Sequence, residues 1–93
     1  MHKYEIYPTA KYRKDRKRLK KRGFNMALLD DVIAKLANGE TLAPKHRDHA
    51  LTGNHKGYRD CHIVPDWVLI YKIDQGQLVL VLSETGSHAD LLE

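Results

Sequence analysis

Apolar and polar positions along the chain change period twice. Over Lys3–Tyr7, Tyr4 and Ile6 alternate with Lys3 and Glu5, the text of a short strand, and Pro8 closes it because proline lacks the N–H that a ladder needs. Thr9 then predicts an N-cap and residues 10–22 a helix. Its inward stripe is narrow, with Tyr12 and Leu19 seven positions apart, and Gly23 supplies the left-handed residue that stops it. A second helix begins at once: Asn25 caps it, and Leu28/Leu29, Val32/Ile33 and Leu36 recur at helical spacing until Asn38-Gly39. So short a link joins two antiparallel helices into an αα-hairpin.

From Glu40 to Gly57 the text is polar and broken by Pro44, Gly53 and Gly57, which predicts a loop with one short strand at His49–Leu51. After it the period falls to that of strands. Tyr58–Val64, Trp67–Ile73 and Leu78–Thr85 are rich in β-branched, leucine and aromatic residues, and Pro65-Asp66 and Asp74-Gln75-Gly76-Gln77 separate them as turns. A three-stranded antiparallel meander follows, its second and third strands apolar enough to be central, with a last turn of helix over Ser87–Leu92 capped by Ser87. The pattern thus predicts an α+β fold: an N-terminal strand and a helix pair packed on an antiparallel sheet.

Ninety-three residues are enough for one domain, residues 1–93, and too few for two. The single cysteine, Cys61, excludes a disulfide scaffold and any Cys-x-x-Cys site. Apolar runs reach five residues, at Trp67–Tyr71 and Leu78–Leu82, against the roughly 18 needed to cross a bilayer, and the N-terminus lacks a signal-peptide core. The expectation is a soluble protein of a reducing cytoplasm with no membrane partner.

Charge changes the picture further. Net charge is +4, but the first 22 residues hold ten Lys/Arg against two acids, and the remainder six against ten. Between Lys11 and Arg22, nine of twelve positions are cationic. On a helix these like charges meet at i,i+3 and i,i+4, each pair costing about 0.2–0.5 kcal/mol, a repulsion that a polyanion would relieve. Lys11, Arg13, Lys14, Lys17, Arg18, Lys20 and Lys21 are therefore candidate contacts to a phosphate backbone such as that of RNA, with an acidic protein partner as an alternative.

The candidate chemistry lies in the C-terminal half. A period of two puts Asp60 and His62 on one strand face, with Arg59, Cys61 and Ile63 on the other. His62, Asp66, Trp67 and His88 fall at one end of the meander, and the loop can bring His49 there. Imidazoles that titrate near neutrality, beside an aromatic that can stack a base, suit RNA cleavage without metal. One imidazole takes the proton of a ribose 2′-hydroxyl, that oxygen attacks the adjacent phosphorus in line, cations stabilise the added charge, and a second imidazole protonates the departing 5′-oxygen. No cofactor is called for: the spacings of His46, His49 and His55 match no strong metal pattern, and serine-hydrolase, P-loop and dinucleotide texts are absent.

Three stretches carry a resemblance: Asp48-His49-Ala50-Leu51-Thr52-Gly53, Lys56-Gly57-Tyr58-Arg59-Asp60-Cys61-His62-Ile63-Val64-Pro65-Asp66-Trp67-Val68-Leu69-Ile70-Tyr71-Lys72, and Thr85-Gly86-Ser87-His88. They resemble the YafQ branch of the RelE/ParE superfamily of bacterial type II toxins. The resemblance implies a RelE-like fold and a ribosome-dependent, metal-independent mRNA endonuclease acting in the ribosomal A site, held in check by an acidic DinJ-like antitoxin. It places the catalytic groups on His49, His62, Asp66 and His88, with Trp67 beside them; His88 is the expected acid and His49 or His62 the base. Two positions depart from the pattern, Glu84 where relatives carry an arginine and Leu92 where an aromatic is expected. Arg59 or Lys56 would then supply the missing cation. The alternatives are a ParE-like poison of DNA gyrase, which would not need the His/Asp set, and a catalytically weak RNA-binding module.

Overall fold

The computed structural model describes residues 2–91, and for His88 and Ala89 the backbone alone. Five strands form one mixed sheet in the order β1-β5-β4-β3-β2. They are β1 (Glu5–Pro8), β2 (His49–Ala50), β3 (Arg59–Val64), β4 (Trp67–Asp74) and β5 (Val79–Ser87). The helices are α1 (Ala10–Lys21), α2 (Met26–Ala37) and the short α3 (His88–Leu91). None is long and apolar enough to cross a membrane.

The expected meander is present, β3 to β5 pairing antiparallel, but β1 is parallel to β5, so the sheet is mixed where an antiparallel one was expected. Pro8 falls in the last register position of β1, opposite Leu82, on an edge strand where its missing N–H costs no ladder bond. Thr9 then turns the chain into α1. Its hydroxyl accepts from the Tyr12 amide at 3.1 Å and lies 2.9 Å from the carbonyls of Leu82 and Ser83, so one residue caps the helix and fixes it to β5.

At the far end of α1, Gly23 has φ +88 and the Phe24 amide returns to the Leu19 carbonyl at 3.1 Å, a left-handed stop. Phe24 meets Trp67 edge-on with centroids 5.0 Å apart. Asn25 caps α2 through the Ala27 amide. One sheet face carries Cys61, Trp67, Leu69, Tyr71, Leu80 and Leu82 against Tyr12 and Leu19 of α1 and Leu29, Val32, Ile33 and Leu36 of α2. Each such side chain contributes about 1.5–3 kcal/mol by leaving water.

The narrow stripe of α1 has a third member. Asp15, 1% exposed, sits between Tyr12 and Leu19. β1 ends opposite Leu82, so the edge of β5 beyond it is open, and Asp15 Oδ2 accepts the Thr85 amide there at 3.2 Å. Lys11 Nζ at 2.6 Å and Arg18 at 3.2 Å balance the carboxylate. Helix α1 thereby does for the end of β5 what a neighbouring strand would do.

The polar stretch 40–57 is more ordered than expected. It holds a 3₁₀ turn at Pro44–His46, the two-residue β2 and a second 3₁₀ turn at Gly53–His55. Ser87 caps α3 as expected, its hydroxyl accepting the Asp90 amide at 3.3 Å while Asp90 accepts the Ser87 amide at 3.1 Å. Leu92 lies outside the described residues.

Candidate active site

The site begins with register. His49 of β2 stands opposite Asp60 of β3, and His62 stands opposite Val68, which stands opposite Gly86 of β5. Cross-strand partners share a face, so His49, Asp60 and His62 all lie on the face away from the helix pair. Diagonal neighbours on an antiparallel pair are about 7–8 Å apart, which puts the His49 and His62 backbones within reach of one nucleotide. The backbone of His88 follows β5 two residues beyond Gly86, at the same end of the sheet as Trp67 and Ser87.

The rings of both His49 and His62 are held by a backbone carbonyl. His49 Nδ1 donates to the Arg47 carbonyl at 2.6 Å and His62 Nδ1 donates to the Pro65 carbonyl at 3.1 Å. A carbonyl can only accept, so in each ring Nδ1 carries hydrogen and the basic lone pair of the neutral imidazole is on Nε2. His49 Nε2 lies 3.9 Å from Asp60 Oδ2, and Asp60 is 1% exposed.

Asp60 rather than Asp66 is thus the carboxylate set against an imidazole. Asp66 is exposed in the β3–β4 turn, the turn whose Pro65 carbonyl orients His62. A period of two identified the shared face of Asp60 and His62, but the register that brings His49 opposite Asp60 is a long-range property that no local pattern reports.

Trp67 does not serve as a stacking platform. It is 2% exposed on the helix-side face, packs on Phe24, and gives its Nε1 hydrogen to Thr85 Oγ1 at 2.9 Å. The alternation of β4 turns Trp67, Leu69 and Tyr71 one way, so the indole anchors the core under the site. Arg59 follows the same face and is engaged: its Nε donates to Asp48 Oδ1 at 3.2 Å, and the Tyr71 hydroxyl donates to the same oxygen at 2.5 Å. Burial, reinforced by that carboxylate, raises the Tyr71 hydroxyl well above the ordinary tyrosine value. Lys56 is exposed at the end of the second 3₁₀ turn. Burial likewise raises the Cys61 thiol, which leaves it inert as a nucleophile.

Sequence reasoning passed over the Pro44–His46 turn. His46 is 6% exposed and its Nδ1 donates to the His62 carbonyl at 2.6 Å, fixing the strand backbone under the catalytic candidate. Lys45 and Arg47 join His62 and Pro65 around a cleft of about 420 Å³. The one local signal was Pro44, which favours the start of a tight turn.

The basic helix divides into two groups. Lys11 is tied to Asp15 and lies 3.8 Å from Glu84, while Arg18 bridges Asp15 and Asp90. The negative charge at position 84 therefore meets a lysine of this chain. Arg13, Lys14, Lys17, Lys20 and Lys21 are exposed, and Lys14, Lys17 and Lys21 line a shallow groove with Arg18.

Comparison with known proteins agrees with this fold. A family model described as the bacterial toxin of a type II toxin–antitoxin system, YafQ, matches residues 4–93. The mRNA interferase toxin YafQ of Escherichia coli K12 is 40% identical over 88 residues, 94% of either chain. The crystal structure of the E. coli DinJ-YafQ toxin–antitoxin complex superposes with a TM-score of 0.89 at 38% identity, covering 98% of this chain and 99% of that one. A metal-bound toxin from Helicobacter pylori gives 0.90 at 42% identity, covering 96% and 99%. With the fold and the match over nearly its whole length in agreement, this chain belongs to the YafQ family of type II toxin–antitoxin toxins.

Proposed function

We propose that this toxin is a ribosome-dependent endoribonuclease that cuts mRNA in the ribosomal A site by 2′-hydroxyl attack, with histidines as acid and base and without a metal ion. The observation that carries this reading is the pair His49 and His62, on one face, each with Nδ1 held by a carbonyl, which puts the basic lone pair on Nε2. One Nε2 removes the 2′-hydroxyl proton, the oxygen displaces the 5′-oxygen at phosphorus, and an imidazolium protonates that leaving group. The products are a 2′,3′-cyclic phosphate and a 5′-hydroxyl. Base and acid each contribute about 10²–10⁴-fold. His88, at the start of α3, is the third candidate and the expected acid.

The name of the E. coli relative supports the reaction class, and its complex with DinJ supports a DinJ-like antitoxin as the partner. The exposed lysines and arginines of α1 suit contact with ribosomal RNA, where charge and shape matter more than base reading. The test is mRNA on translating ribosomes with toxin that has been dialysed against EDTA beforehand: new 5′-hydroxyl ends at A-site codons are expected. Intact mRNA with arrested DNA supercoiling would favour the gyrase alternative, and intact mRNA with salt-dependent ribosome binding would indicate a binding module.

A further inference from the structure

An in-line attack on phosphorus builds negative charge on the non-bridging oxygens, so this reading requires cations at the reacting phosphate. Glu84 brings a negative charge to the same sheet face, in register with Ile70 and through it with Asp60. Lys11 is occupied by Asp15 and Glu84, and Arg59 by Asp48. The cations beside His62 come from elsewhere, the Pro44–His46 turn and the residue that ends it.

We propose that Lys45 and Arg47 hold the reacting phosphate against His62. Both side chains are exposed and line the His62 cleft, whose floor is completed by Pro65, the residue whose carbonyl orients the imidazole. Two positions apart on a tight turn, they flank His46, whose buried ring is fastened to the His62 backbone. The cations and the histidine therefore keep a fixed relation.

Arg47 carries a second observation. Its backbone is left-handed, φ 47 and ψ 42, a conformation that glycine or asparagine would adopt more readily than arginine. That conformation points the Arg47 carbonyl at His49 Nδ1 while its side chain lines the cleft. Arginine in a strained position implies that the guanidinium is needed there, since a glycine would serve the backbone alone. One residue thus orients one imidazole through its carbonyl and presents charge beside the other.

This inference rests on the nuclease reading, and the experiment separates the two. Lys45→Gln, Arg47→Gln, their double variant and Arg47→Lys are compared with wild type in mRNA cleavage on translating ribosomes. In parallel, inorganic phosphate is titrated into each free protein while the His62 ring signals are followed by NMR. The double variant is expected to cut about 10²-fold more slowly and to lose the His62 response to phosphate, with Arg47→Lys retaining most of both. Lys45→Gln, on an exposed side chain, tests the same point without risk to the fold. Wild type that cuts alongside a double variant that cuts equally well and binds phosphate equally tightly overturns this inference and leaves the nuclease reading standing. Wild type that cuts nothing removes both.

Discussion

Asp15 and Asp60 are buried to the same degree, 1% exposed each, but their surroundings differ in kind. Asp15 is saturated: a lysine at 2.6 Å, an arginine at 3.2 Å and the Thr85 amide at 3.2 Å all donate to it, fixing α1 to the end of β5. Asp60 faces His49 Nε2 at 3.9 Å, and that imidazole is half exposed. A carboxylate tied to permanent cations is a structural joint, whereas on the proposed nuclease reading one set against an imidazole is placed to support its proton transfer.

The contrast predicts opposite phenotypes. Asp15→Ala should cost about 2–4 kcal/mol, because the Thr85 amide loses a charged acceptor in a buried place, and lower the melting midpoint by about 10–20 °C. Calorimetry of the purified variant measures it. Asp60→Asn removes a buried charge while keeping its shape, so stability should change by less than about 1 kcal/mol while cleavage falls about 10- to 100-fold. If Asp60→Asn unfolds the protein and cuts normally per folded molecule, the two aspartates are alike and the distinction fails.

The division within α1 gives a smaller effect. Replacing Lys14, Lys17 and Lys21 by Ala should leave the fold intact, weaken ribosome association and flatten its salt dependence by roughly three charges' worth. Replacing Lys11 instead should act through Asp15 and hence on stability. A salt slope unchanged in the triple variant would count against RNA contact on that groove.

Smallest is a pH effect at α3. The Ser87 hydroxyl and amide, then Arg18 and Arg22, hold the Asp90 carboxyl below the usual carboxylate range. A depressed folded-state value means that this contribution is complete above the ordinary carboxylate value of about 3.9 and is lost as pH falls through the lower, folded one. The melting midpoint of Asp90→Asn should therefore lie slightly below wild type at pH 6 and converge with it as pH falls through the lowered carboxyl value.

Local chemistry was legible in the sequence wherever one element reports its own condition. Thr9, Asn25 and Ser87 announce their caps, Gly23 its left-handed stop, and the alternation of β3 the shared face of Asp60 and His62. What depends on register was not legible: the parallel pairing of β1 with β5, the pairing of His49 with Asp60, and the turning of Trp67 into the core. Asp15 was hidden for another reason, since a charge amid nine cations looks solvated until the open edge of β5 is known. Lys45, His46 and Arg47 lie in polar text whose shape comes from Pro44 and from contacts with β3.

The most direct test of the central claim compares wild type with His49→Ala, His62→Ala and His88→Ala in one assay, mRNA cleavage on translating ribosomes by toxin dialysed against EDTA beforehand, with each variant's fold confirmed by its melting curve. The account predicts cleavage by wild type and losses of about 10²–10⁴-fold in the variants that remove the base or the acid. Equal cleavage by wild type and all three variants would contradict it.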